Sequence, residues 1–500
     1  MPALRLLTAA AAAVSLVPTG GAFAQSPAAT AVQFAPVNLP GPISVDHVGT
    51  FNGTRIAYRS VVEPIEVTDP AGRPVARLVA TSYIAHDAGP SRPVLFVFNG
   101  GPITATTPLH MGAFGPKRVA IPDALDADPA TFQIVDNIYS PLDVADIVVF
   151  DPANTGFSRT LPGVDPKSQF SVKADGRQLA QLVIAWRRIH DRTQSPVYLV
   201  GESYGTMRAV EAADQLQKAG FAIAGIMLWG QAVNIIEYAQ RPNNIISYAI
   251  SLPTLAALGW VHNVAERKGR SFDQFIQDAK AYGAGEYLSV LFLGDGAPRA
   301  RMEAVARRLQ EFTGLAAQAF LDRRLKLAKT EYQRLLIPGK MLETNDARYV
   351  LPQGARGAPY ASRWAPAAVE HFRTFLGVPG IGPYLLDPPN PPGFSAWDWG
   401  ENKSPFLDWP YVGQLRSVME QNPTFTLFVA NGYFDTQTTV GAMDYLVTQS
   451  GLPQARVRTA AYWGGHMFYS VEASLKKVMD DVRAIVRQRP PAPLQAAKNR

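Results

Sequence analysis

Two rhythms of apolar and polar positions divide this chain. Before residue 90 the two kinds alternate, as in Thr54 to Arg59 and Val75 to Ile84, with a turn signal at Asp69-Pro70-Ala71-Gly72. Period-two alternation predicts antiparallel hairpins with one wet face. A different grammar follows. Val94 to Phe98, Ile147 to Phe150, Val197 to Val200 and Phe425 to Val429 are short unbroken apolar runs, each ending in Gly, Asn or Asp. Such runs, separated by helical stretches, predict parallel strands buried on both faces. Between about 235 and 400 the strand signal fades. Met302, Val305, Leu309 and Phe312 recur at helical spacing and stop at Gly314; Leu321, Leu325, Ala328, Tyr332 and Leu335 recur again before Pro338. A closing helix is predicted from about Val471 to Val486.

These elements predict an α/β fold: a mostly parallel central sheet flanked by helices, N-terminal antiparallel hairpins, and a mostly helical insertion capping the carboxyl edge, where such sheets place ligands. The catalytic domain is assigned to residues 43–234 and 401–487, and the cap to 235–400. Residues 1–24 read as a signal peptide: Arg5 forms the positive start, Leu6 to Val17 the apolar stretch, and Ala22-Phe23-Ala24 the cleavage site. Residues 25–42 read as a flexible leader, and 488–500 as a basic, Pro-rich tail. No later run is long enough to span a membrane. The expected destination is a bacterial periplasm or the medium.

Composition narrows the chemistry. Hydrophobic residues make up 47% of the chain and charged ones 18%, enough apolar material for a large core and too little charge for a disordered chain. The formal charge of +6 suggests an anionic partner until it is located. Arg5 and the terminal Arg483, Arg487, Arg489, Lys498 and Arg500 carry all of the excess, so no nucleic-acid footprint is expected. Cysteine is absent, which excludes thiol catalysis and cysteine-ligated metals. Neither an H-E-x-x-H pattern nor a compact His and carboxylate cluster occurs, so no metal and no cofactor is expected.

Gly201-Glu202-Ser203-Tyr204-Gly205 directly follows an apolar run and precedes the helix-compatible stretch Thr206 to Lys218. A strand, a sharp G-x-S-x-G turn and a helix form a nucleophile elbow, in which small flanking residues let the backbone turn and hold the serine oxygen out. Serine needs a base, and α/β hydrolases supply acid and base downstream in the order Asp or Glu, then His. His262, His371 and His466 follow Ser203. The first two lie in helical sequence of the cap, whereas His466 sits in a glycine loop, Trp463-Gly464-Gly465-His466-Met467, after the strand-like Val457 to Tyr462. Asp435 holds the matching place after the preceding strand. Its carboxylate would orient His466 and stabilise the imidazolium. The backbone N–H of Tyr204 supplies one oxyanion donor; Asn99-Gly100-Gly101-Pro102, after Val94 to Phe98, would supply the other through Gly101.

With Asp151-Pro152-Ala153-Asn154-Thr155-Gly156-Phe157-Ser158, Gly432-Tyr433-Phe434-Asp435 and Gly465-His466-Met467, these motifs resemble the successive landmarks of the serine carboxypeptidase family, in family order from about residue 45 to 480, here in a secreted bacterial form. The resemblance implies an α/β-hydrolase fold with a cap, a Ser203, Asp435, His466 triad, oxyanion donors at Gly101 and Tyr204, and peptide substrates with a free C-terminus. It also implies that Asn99, Gly100 and a protonated Glu202 receive the terminal carboxylate, which favours acid conditions. The chain departs from the family at Ile103-Thr104-Ala105, at Val97, and at Ala113, where a second glutamate would share a proton with Glu202. Without that like charge, Glu202 is expected to ionise at lower pH. Readings that stay open are an esterase or acyltransferase with the same triad, and a noncatalytic binding member of the fold.

Overall fold

The computed structural model describes residues 35–488 except 36, 87, 356, 389–395 and 401–407. The signal peptide, most of the leader, the basic tail after Gln488 and part of the expected return from cap to sheet lie outside the described residues. The last stretch of the expected leader is anchored: Leu39 is buried, and the Asn38 N–H donates to the Ile381 carbonyl at 2.7 Å.

Nine strands form the path of the central sheet. They are β1 (Ile43–Phe51), β2 (Thr54–Thr68), β3 (Pro74–Ala85), β4 (Val94–Phe98), β5 (Asp146–Phe150), β6 (Val197–Glu202), β7 (Gly225–Trp229), β8 (Thr426–Gly432) and β9 (Val457–Tyr462). Their spatial order is β1-β2-β3-β5-β4-β6-β7-β8-β9, with Arg159–Thr160 pairing beside β3. The first three run antiparallel, as their alternation predicts, and β3 meets β5 antiparallel; from β5 to β9 every neighbour is parallel. Sequence reading missed β1 and β7. In β1 the alternation is broken by Val48 on the exposed face and by His47 and Gly49 on the other, and β7 is only five residues long, Gly-Ile-Met-Leu-Trp.

Successive side chains of the parallel strands enter opposite cores. Phe96, Phe98 and Leu199 pack on one face with Leu182, Trp186, Met207 and Val210, while Leu95, Val97 and Val200 pack on the other with Phe114, Val478 and Val482. The first face is covered by helices α1 (Val172–Ile189) and α2 (Gly205–Lys218), the second in part by the closing helix Glu472–Arg487. Truncating one of these fully buried leucines to alanine costs about 2–5 kcal/mol. That rigidity fixes the strand ends.

The insertion between β7 and β8 has its own core, including Leu255, Phe275, Leu309, Phe312 and Tyr332. Helix Arg299–Thr313 ends where Gly314 takes a left-handed φ of 79°. The next stripe is not one helix. It breaks after Ala317–Leu321 because Arg324 and Leu325 adopt φ of 51° and 65°, and it resumes as Lys329–Leu335; Leu335 is exposed. A two-stranded hairpin, Lys340–Leu342 with Val350–Pro352, interrupts the helical region.

Candidate active site

Parallel strands present their carboxyl ends on one edge, and the expected residues gather there. At the end of β6 the chain turns through Ser203, whose φ is 60°, into α2. A side chain at Gly201 would lie 2.3 Å from the Gly205 carbonyl oxygen, so only glycine permits this turn. The Ser203 N–H donates to the Trp229 carbonyl at 2.9 Å, tying the elbow to the end of β7. Ser203 itself remains partly exposed.

His466 and Asp435 meet at the ends of β9 and β8. The Nδ1 of His466 lies 2.6 Å from Asp435 Oδ2. A carboxylate only accepts, so Nδ1 carries the proton and Nε2 is the basic nitrogen. Asp435 Oδ1 also accepts the N–H groups of Gln437 at 2.8 Å and Thr438 at 3.1 Å, and the Thr438 hydroxyl donates to Oδ2. The imidazole lies against Gly230, where an added Cβ would come within 2.8 Å of its Cε1. Gly230 directly follows Trp229, whose carbonyl holds Ser203. Base and nucleophile thus flank the same short segment.

Gly100 packs onto the elbow: a Cβ there would lie 2.6 Å from the Tyr204 nitrogen. The next residue, Gly101, is exposed with φ of 109°. Beneath them a network that sequence reading missed ties the two oxyanion segments together. Buried Arg208 donates through Nε to Asp175 at 2.7 Å and through Nη1 to the Asn99 carbonyl at 2.5 Å, while the Tyr204 hydroxyl donates to Asp175 at 2.9 Å. Arg208 lies one turn beyond the elbow, a spacing visible in sequence, but Asp175 is remote.

Glu202 is buried, and its Oε1 accepts from the Asn99 amide at 2.6 Å. Its Oε2 is buried without a hydrogen-bond partner. Burial pushes its pKa up to about 7, against the opposing pull of the His466 charge, the Tyr469 hydroxyl and Asn99. The expectation of an easily ionised Glu202 is therefore corrected: desolvation alone supplies the upward shift that a second carboxyl would have supplied. Ala113 lies in a short π-helical turn, His110–Phe114, packed in the sheet core, while the Tyr469 phenol lies beside Glu202, short of a well-formed hydrogen bond. For His466, burial opposes the charged form, but the Asp435 carboxylate outweighs it, helped by Glu202 and Glu343, and holds the imidazole above its ordinary range.

The other downstream histidines bond elsewhere in the fold. His262 Nε2 donates to the Ala347 carbonyl at 2.8 Å, and His371 Nε2 lies 2.8 Å from the Tyr83 hydroxyl.

Residues 83–233 match the family model described as serine carboxypeptidase. That stretch contains Asn99, Gly100, Gly101, Glu202, Ser203 and Tyr204. No curated protein matches the sequence. Among solved structures, the chain is similar in fold to Kex1, a prohormone-processing carboxypeptidase from Saccharomyces cerevisiae, at 10% identity and a TM-score of 0.54, over 86% of this chain and 91% of that one. Proline iminopeptidase from Mycobacterium smegmatis matches at 13% identity over 85% and 98% of the two chains, with a TM-score of 0.37. The esterase LipA from Xanthomonas oryzae matches at 11% identity over 89% and 98%, with a TM-score of 0.36.

Proposed function

We propose that this serine hydrolase, an α/β-hydrolase whose residues 83–233 match the serine carboxypeptidases, is an exported serine-type carboxypeptidase. His466 Nε2 takes the hydroxyl proton as Ser203 Oγ attacks the last peptide carbonyl. Asp435 holds the imidazolium, and the N–H groups of Gly101 and Tyr204 receive the developing oxyanion. The C–N bond then breaks, His466 hands its proton to the leaving amine, and an acyl-enzyme remains on Ser203. Water, deprotonated by His466, attacks that ester and releases the shortened peptide.

The single observation that carries the exopeptidase reading is the Glu202 carboxyl beside the nucleophile. It is buried, bonded to Asn99 at 2.6 Å and held up to about 7, so below that pH it is neutral and can donate to a substrate's terminal carboxylate while Asn99 and Gly100 complete the cradle. Release of the free C-terminal amino acid from an N-blocked dipeptide tests it. An enzyme that labels with a fluorophosphonate and cleaves short esters, yet releases no amino acid from such dipeptides, sinks the peptidase reading.

Export rests on the N-terminal pattern. Mature protein beginning at Gln25 in a periplasmic or culture fraction is the expected observation; a chain retaining Met1 to Ala24 in the cytoplasm overturns it. Among the described residues no helix is long and apolar enough to cross a membrane.

A further inference from the structure

The hairpin that interrupts the helical insertion ends in a loop, Glu343 to Ala347, and this loop is bonded to both arms of the dyad. Its Asn345 carbonyl accepts the backbone N–H of His466 at 2.5 Å. On the acid arm, the Thr344 carbonyl accepts the Thr436 hydroxyl at 2.7 Å, the Ala347 N–H donates to the Phe434 carbonyl at 3.0 Å, and the Gln437 side-chain amide donates to Asn345 Oδ1. Those partners lie within two residues of Asp435. Gly465 lies so close that a Cβ on it would sit 2.2 Å from the Asn345 carbonyl oxygen.

The shape of the loop depends on one side chain. Glu343 is 3% exposed, and its Oε2 accepts the N–H groups of both Asn345 at 2.8 Å and Asp346 at 2.6 Å. That pair of bonds turns the backbone so that the Asn345 carbonyl faces His466. Gln333 braces the loop from the cap helix, its side-chain amide donating to the Thr344 hydroxyl at 3.3 Å and to the Thr436 hydroxyl beside Asp435 at 3.0 Å, and His262 holds the Ala347 carbonyl.

We propose that the Glu343–Ala347 loop is a clamp through which the helical insertion sets the position of the Asp435–His466 pair, with Glu343 as its positioning residue. The clamp rests on the triad reading above. It makes the insertion part of the catalytic machinery as well as a cover over the edge of the sheet. A small displacement of the imidazole is enough to lower turnover, because base and nucleophile must align within a few tenths of an ångström.

The test uses the full chain, a blocked dipeptide substrate, and fluorophosphonate titration to count competent sites. In Glu343→Ala, kcat per titrated site falls by about tenfold or more while KM changes less than about twofold, since the lost alignment acts in the transition state. Glu343→Gln keeps an acceptor for the two N–H groups and recovers kcat to within about threefold of wild type. It nevertheless moves the low-pH limb of kcat/KM downward, because a negative charge near His466 has gone; Asp435 and Glu202 also face His466, Asp346 faces Glu343, and none of these is altered. A purely structural Glu343 lowers the number of titrated sites and leaves kcat per site unchanged, which overturns the proposal. If Glu343→Ala does not fold, Gln333→Ala decides: kcat per site unchanged sinks the clamp, and a fall of about threefold or more supports it. Turnover that survives His466→Ala fails the triad reading itself, independently of either result.

Discussion

The Asn99 side-chain amide donates to Glu202 Oε1 across 2.6 Å, linking the loop after β4 to the residue before the elbow serine. Glu202 Oε2, on the same buried carboxyl, has no partner. One oxygen is thus committed, and the Tyr469 phenol lies beside the carboxyl without a well-formed bond to it.

KM for peptides with a free C-terminus should rise as the pH passes about 7, where Glu202 ionises and repels the terminal carboxylate. The corresponding C-terminal amides should escape most of that rise, and Glu202→Gln should flatten it. Measuring KM from about pH 4 to 9 for one peptide and its amide decides the matter. Parallel curves would mean that Glu202 does not read the carboxylate.

The same group links pH to stability. Its folded pKa of about 7 lies above the ordinary value near 4.5, so its contribution is fully present below 4.5 and is lost as the pH rises through 7. Glu202→Gln, which cannot ionise, should gain on wild type by up to about 3 kcal/mol between those limits. Denaturant midpoints at pH 4.5 and 8 check it; an equal difference between the two proteins at both pH values refutes it.

Ser203→Ala and His466→Ala should each reduce kcat by about 10³-fold or more without loss of folding, because triad members act as a unit. Asp435→Asn should fall as far or less. His86→Ala, an exposed site paired with Asp46, serves as the control. Ser203→Ala within a fewfold of wild type would end the mechanism.

Thr438 was not singled out by sequence reading, yet its hydroxyl donates to Asp435 Oδ2 and lies 3.2 Å from His466 Nδ1. Removing that donor leaves more negative charge on Oδ2 facing the imidazole, so Thr438→Val should move the low-pH limb of kcat/KM for a C-terminal amide upward and lower kcat by about three- to tenfold. Thr438→Ser, which keeps the hydroxyl, should restore both. A limb that stays in place in the valine variant counts against the assignment.

The sequence by itself determined what short-range patterns encode. Unbroken apolar runs ending in glycine, asparagine or aspartate marked β4, β5, β6 and β8, because a strand buried on both faces needs apolar side chains on both. The elbow at Ser203 and the stop at Gly314 were legible because each needs a particular backbone conformation within a few residues. Ser203, Asp435 and His466 were picked out by the order serine, acid, histidine that α/β hydrolases use, read onto turns that follow expected strands. Tertiary structure decided the rest. Asn345 reaches His466 across more than a hundred residues, and no local pattern records which carbonyl will meet which N–H. Ala113 suggested an easily ionised Glu202, but that pKa depends on how completely the finished fold strips water from the carboxyl. Desolvation is set by every chain segment packed around a group, so it becomes readable only after the chain has folded.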